Sequence, residues 1–178
     1  INRASREDRL EAFSKLPELE WPIEIFTAFE EDPPEDWRHT RGAWGCRLSH
    51  MAVLEEALAD DVEQLLVFED DATWTPEAAK EISVFIEECM TDDSAAWLGG
   101  FHFNQAFRVR HGLVRCTLML RAHAYVLRGE AIETAYEVLD ERQYSHTDVA
   151  LSQLTTRLEV WAPDPWLVYT TGSESDIS

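Results

Sequence analysis

Gln64-Leu65-Leu66-Val67-Phe68-Glu69-Asp70-Asp71 sets a short, mostly apolar run directly against three carboxylates. With an acid in front of it and acids behind it, the run reads as a buried strand. A buried strand of an open α/β sheet delivers the residues after it to the carboxyl edge of the sheet, where such folds place their ligands. Three like charges gathered there repel one another unless something neutralises them, and a divalent cation bound by oxygen ligands does so. Glu30-Glu31-Asp32 is a second acidic triplet, and it opens an acidic, proline-bearing loop over residues 30–37. Position, not composition, singles out Glu69, Asp70 and Asp71.

On either side of this run, helical and strand patterns alternate. Pro22 to Phe29 reads as another buried strand, and Ala43 to Ala59 spaces Trp44, Leu48, Met51, Leu54 and Leu58 along one helix face. Thr75-Pro76-Glu77 supplies an N-cap, a first-turn proline and an early carboxylate, ahead of a stripe formed by Ile82, Phe85, Ile86 and Cys89. Trp97 to Phe103, Leu113 to Leu120 and His123 to Leu127 read as strands. Glu130 to Arg142 and Asp148 to Leu158 read as helices, the second capped by Thr147. Glu159 to Ala162 and Trp166 to Thr170 are short strands. This order predicts a single α/β domain over residues 1–178, with a mainly parallel sheet, an antiparallel addition and flanking helices. Ile1-Asn2 reads as the end of a strand that begins before the sequence does.

Composition narrows the function. The 178 residues include 35 acids against 15 Lys and Arg, for a formal charge of −20. Such a surface repels phosphate backbones, which argues against nucleic acid as a partner. No apolar run is long enough to span a bilayer and no signal-type segment opens the sequence, so the expectation is a cytoplasmic protein, at most peripheral to a membrane. Cys46, Cys89 and Cys116 are widely spaced and read as buried thiols. From Ala95 to Gly129 there is no Asp or Glu, while Arg108, Arg110, Arg115, Arg121 and Arg128 all occur there; this stretch is the candidate for positive potential toward an anion.

Gly42-Ala43-Trp44-Gly45-Cys46-Arg47-Leu48-Ser49-His50 opens the long helix with two glycines, which permit close backbone approach beside helix-start amides suited to a phosphate or ribose. Cys46 and His50 share a helix face, a spacing that serves packing more often than metal ligation. His123 lies in a strand, and Asp148 stands at a helix start behind His146-Thr147.

Taken together, these segments resemble glycosyltransferase family 25, the lipooligosaccharide-type and collagen-type sugar transferases. The resemblance rests on INRASREDR (1–9), GAWGCRLSH (42–50), VFEDDA (67–72), HAYVL (123–127), TDV (147–149) and GSESDI (172–177), in that order along the chain. It implies a GT-A-like, Rossmann-like fold, a nucleotide-sugar donor, a glycan or glycoconjugate acceptor, and Mn²⁺ or Mg²⁺ held by the acidic motif. Asp71 is the first choice for the ion, with Glu69 beside it in place of the first Asp of an Asp-x-Asp pattern. Asn2, Arg6, Arg9, Gly42, Gly45, Ser49, His50 and Asp70 are the candidate donor-binding residues. Asp148, then His123, are the candidates for taking the acceptor proton. Two alternatives stand beside this: a haloacid-dehalogenase-like phosphohydrolase, from Glu69-Asp70-Asp71-Ala72-Thr73 after a strand, and a catalytically silent sugar-binding relative.

Overall fold

The computed structural model describes residues 1–141 and 145–171. Its strands are β1 (Gln64–Phe68), β2 (Ala72–Thr73), β3 (Ala95–His102), β4 (Phe107–Arg110), β5 (Leu113–Arg115), β6 (Met119–Arg128), β7 (Val160–Pro163) and β8 (Tyr169–Thr170). The helices are α1 (Glu7–Phe13), α2 (Arg41–Ala59), α3 (Pro76–Cys89), α4 (Ala131–Glu141) and α5 (Thr147–Leu151), the last running into a 3-10 segment, Ser152–Thr156. Six strands form one sheet in the order β1-β6-β3-β7-β5-β4, while β2 and β8 pair separately.

The sheet is mainly antiparallel, which corrects the mainly parallel arrangement predicted from the alternating pattern. Within this sheet, among the described residues, only the β3–β7 pairing is parallel. The cause is β6. It runs antiparallel to both β1 and β3 and lies between them. β1 and β3 therefore point the same way and are joined through α3, as in a βαβ unit, but the long β6 occupies the place between them. Period signals identify strands without revealing which one will be inserted.

Side-chain alternation along the central strands sorts the core into two layers. Val67, Trp97, Tyr125 and Leu127 face one side, with Leu54 of α2 and Ile132 and Val138 of α4. Phe68, Leu98, Ala124 and Val126 face the other, against Ile82, Phe85 and Ile86 of α3. The α3 start is built as its sequence predicts: Thr75 Oγ1 accepts the Ala78 amide at 3.2 Å, and Pro76 occupies the first turn.

Three boundaries move for identifiable reasons. Pro22 to Phe29 is not a ladder strand; it makes one parallel bridge, Thr27 with Asn2, through 2.8 Å bonds from Asn2 N to the Phe26 carbonyl and from Ala28 N to the Asn2 carbonyl. Between this segment and β1 lies a cleft of about 630 Å³ lined by Ile23, Phe26, Leu65 and Val67, so the apolar run finds no neighbouring ladder. The last helix is α-helical only to Leu151. Beyond it the hydroxyls of Ser152, Thr155 and Thr156 bond carbonyls three residues back, and the turn tightens to 3-10. Thr147 is the first residue of α5 and not its cap; His146 holds that position without a side-chain bond. Arg142, the expected end of α4, and the segment 172–177 lie outside the described residues.

Candidate active site

β1 ends where the carboxylates begin, and the β1–β6 pairing continues one step through a 2.9 Å bond from Glu69 N to the His123 carbonyl. The three acids then diverge. Glu69 turns to α2: its Oε1 lies 3.2 Å from His50 Nε2, and the Cys46 thiol donates toward it at 3.8 Å. Asp70 accepts from Arg9 Nη1 at 2.9 Å, both side chains being about nine-tenths buried. Asp71 keeps a buried Oδ1 that accepts no hydrogen bond.

Electrostatics divide the acids in the same way. Burial alone would push the Glu69 carboxyl up, but the His50 hydrogen bond and the nearby imidazoles of His50 and His123 outweigh it, and the net direction is down. Asp71 is pushed up to about 6 by burial and then by Glu69, with Arg9 pulling the other way and Asp70 adding to the rise. Two nearby acids thus behave oppositely because one has partners and the other has neighbours of its own sign.

The α2 helix presents two neighbouring stripes. Gly42, Cys46 and His50, spaced by four, line a cavity of about 230 Å³ together with Glu69, Asp70 and Asp71. Gly45 and Ser49 instead clasp the segment before the acidic loop: Ser49 Oγ accepts the Phe29 amide at 2.9 Å and donates to the Gly45 carbonyl at 2.6 Å. A Cβ on Gly45 would lie 2.2 Å from the Phe29 carbonyl oxygen, so only glycine lets the helix approach this closely. His50 is fully buried, its Nδ1 2.8 Å from the Tyr125 hydroxyl.

α5 closes the site from the side of β6. Thr147 Oγ1 sits 3.5 Å from Cys46 Sγ. Asp148 accepts from the Arg121 amide at 3.0 Å and from its neighbour Val149 at 2.8 Å. Arg121 has φ of 67°, a left-handed conformation that a non-glycine residue rarely adopts, and the Asp148 carboxylate holds its amide there. His123 is buried; burial lowers its pKa against the pull of Glu69, so near neutral pH it is an uncharged imidazole.

Gly99 provides the room for His123. A Cβ there would stand 2.2 Å from the Val168 carbonyl oxygen and 2.5 Å from His123 Nε2. Gly99→Ala is expected to destabilise the protein by about 1–3 kcal/mol, read as a lower urea midpoint at unchanged slope.

The other candidates are more scattered. Asn2 is buried, and its backbone makes the bridge to Thr27. Arg6 is engaged by Asp8 through two 3.0 Å bonds. Of the five arginines in the acid-free stretch, Arg108 pairs with Asp164, Arg115 approaches Glu159, Arg110 contacts Cys89, and Arg128 holds Gln64. β4 and β5, which carry the first three, lie at the opposite end of the sheet from β1, so the five do not form one anion-binding surface. Arg121 is the member that neighbours His123. Sequence reasoning missed Tyr125 and Thr147 as parts of the site. The alternation of His123 and Tyr125 along one strand was the available signal, since it sets both on one face.

No helix among the described residues is long and apolar enough to cross a membrane. No curated protein matches the chain. The sequence model for glycosyltransferase family 25 (LPS biosynthesis protein) matches residues 1–124. That span includes the Gly42–His50 helix start and the three acids after β1, which line the cavity, and His123, whose carbonyl accepts the Glu69 amide. With about two thirds of its length matched, and with the matched segments meeting at one site, the chain belongs to glycosyltransferase family 25.

Proposed function

We propose that the protein transfers a sugar from a nucleotide-sugar donor to a hydroxyl of a glycan or glycoconjugate acceptor, with Mn²⁺ or Mg²⁺ at the acidic motif. The observation that carries this is the carboxylate fan at the end of β1, in which Asp71 is held half-buried with an oxygen that accepts no hydrogen bond. A hard cation with oxygen ligands answers that arrangement, so the residues fit the group the family implies. Asp71 would hold the ion, with Glu69 contributing negative charge behind it. When bound, the ion supplies charge neutralisation for the donor diphosphate and its departure.

The chain's own residues do the rest. Arg9 keeps Asp70 in place from α1, and Gly42 leaves the cavity wall open beside the start of α2. Asp148 takes the acceptor's proton: each of its oxygens accepts one backbone amide, and a carboxylate retains further lone pairs for a hydroxyl. His123, neutral and close to Glu69, is the second candidate. The haloacid-dehalogenase alternative needs its first acid as an accessible nucleophile, whereas Glu69 is closed against His50 and Cys46. A GT-A-like fold belongs to this same proposal; the strand that separates β1 from β3 is the point on which it would be compared.

Titration with a panel of nucleoside diphosphates should show binding with Mn²⁺ and little with chelator, and Asp71→Asn should remove the difference. Equal affinity in chelator would overturn the metal dependence. Donor binding without any transfer would favour the silent sugar-binding relative. Removing the charge also has a stability consequence. Because the folded Asp71 carboxyl titrates above its ordinary value of 3.8, the fold without metal is favoured most at low pH and loses that contribution as pH rises through about 6. Asp71→Asn should therefore melt higher than the parent at pH 7.5 in chelator, while the two converge near pH 4.

A further inference from the structure

We propose that Cys46, His50 and Glu69 form a separate site for a zinc-type transition metal, with the adjoining cavity open to a fourth ligand. The site needs no donor, and it shares only Glu69 with the Mn²⁺ or Mg²⁺ reading at Asp71. Among the described residues, these three bring a thiol sulfur, an imidazole nitrogen and a carboxylate oxygen within 4.8 Å of one another. Tetrahedral zinc, with bonds of about 2.0–2.3 Å, sets its ligand atoms about 3.3–3.6 Å apart. The separations are 3.2 Å for His50 Nε2 to Glu69 Oε1 and 3.8 Å for Cys46 Sγ to Glu69 Oε1. These two pairs stand within a few tenths of an ångström of that spacing, and the third pair lies within 4.8 Å.

Two observations beyond the cluster support a metal. The first concerns His50, whose ring is fully buried and whose Nδ1 lies 2.8 Å from the Tyr125 hydroxyl. In the metal-free protein Nε2 serves the Glu69 hydrogen bond; a metal would replace that proton, with Nδ1–H donated to the Tyr125 oxygen and the Nε2 lone pair on the ion, the arrangement that metal-bound histidines adopt. Tyr125 is itself fully buried in the core, so the ring is oriented by a rigid partner. The second is the cavity of about 230 Å³ that all three residues line, which leaves space for water or an oxygen ligand in the remaining position. Three protein ligands with an open fourth position is the composition of catalytic zinc sites, and closed structural sites use four.

Ligand chemistry separates this site from the one at Asp71. Manganese and magnesium prefer carboxylate, carbonyl and water oxygens, whereas thiolate with imidazole selects zinc and its neighbours. On binding, the Cys46 thiol loses its proton to the buffer and its sulfur lone pair forms the metal bond; the carboxylate and the imidazole donate lone pairs, and nothing is oxidised or reduced. In the absence of metal, burial and then the Glu69 charge hold this thiol protonated.

The test uses the full chain stripped with chelator and then titrated with Co²⁺ and Zn²⁺. Expected are one tightly held metal per chain and, for Co²⁺, the intense near-ultraviolet absorption of a cobalt–thiolate bond. Cys46→Ser should abolish that band and weaken Zn²⁺ binding at least tenfold, and Tyr125→Phe should weaken it by about 10–100-fold. Asp71→Asn should leave the band in place, which distinguishes this site from the donor-metal site. Should Cys46→Ser fold poorly, X-ray absorption of the zinc-loaded parent gives a second measure: one sulfur ligand at about 2.3 Å from the metal. A cobalt spectrum without the thiolate band, or zinc bound with no sulfur ligand, overturns the proposal.

Discussion

Asp148→Asn is expected to lower sugar transfer by about 10²–10⁴-fold, the loss typical of removing a general base, while donor affinity stays near the parent's. The two bonds that the carboxylate accepts make a control necessary. Asn keeps one acceptor oxygen, so either the Arg121 amide or the Val149 amide loses its partner. If Asp148 acted only by holding Arg121 in its left-handed conformation, Arg121→Gly would relieve the need for that hold, and the double variant would recover activity. Recovery would reassign Asp148 as a positioning residue and pass the proton transfer to His123. Persistent loss in the double variant supports direct proton transfer.

Arg9→Met is the variant with the largest expected effect on stability. It leaves the Asp70 carboxylate buried beside Asp71 and Glu69 without its guanidinium, and breaking a buried pair from one side costs about 3–5 kcal/mol. For a chain of this size that corresponds to a melting midpoint lower by roughly 6–20 °C. Replacing both partners, as Arg9→Met with Asp70→Leu, should regain most of the loss, because an apolar pair of similar bulk removes the stranded charge. Retention of the full deficit in the double variant would show that Arg9 contributes through packing of α1 and not through Asp70.

The parts of the molecule that sequence made legible are those governed by local chemistry. The Thr75-Pro76 start of α3 and the Gln64–Phe68 strand each depend on residues within one or two turns of each other, and each stands where its pattern puts it; α2 also forms, but the face it buries runs through Ala43, Arg47, His50, Leu54 and Ala57, and Leu58 of the expected stripe is exposed. The acids after β1 were recognisable for the same reason. Their separate fates were not. Whether Glu69 meets His50, and Asp70 meets Arg9, is decided by elements far away in the chain: 19 residues in one case and 61 in the other. Arg9 illustrates the difficulty: as a cation in an acidic chain it reads as a phosphate ligand, yet α1 delivers it to an internal carboxylate. Gly45 and Ser49 carry the same lesson, since a glycine that admits a backbone carbonyl looks, in sequence, like one that admits a phosphate. The mainly antiparallel order of the sheet was hidden for a related reason, because no local signal reports that β6 lies between β1 and β3.

That placement of β6 sets the order in which the protein can be made. Gln64 pairs with Arg128, 64 residues later, and among the described pairings β1 joins the sheet only through β6. A chain leaving the ribosome at about 5–20 residues per second therefore exposes β1 and the acids behind it for several seconds before their partner strand exists. Loop closure over such a span is slow relative to helix formation, so α2 and α3 can form while the strand between them waits. The acidic ending of β1 then has a use before any chemistry begins: Glu69, Asp70 and Asp71 flank the unpaired apolar strand with like charge, which opposes pairing with the same strand of a neighbouring nascent chain.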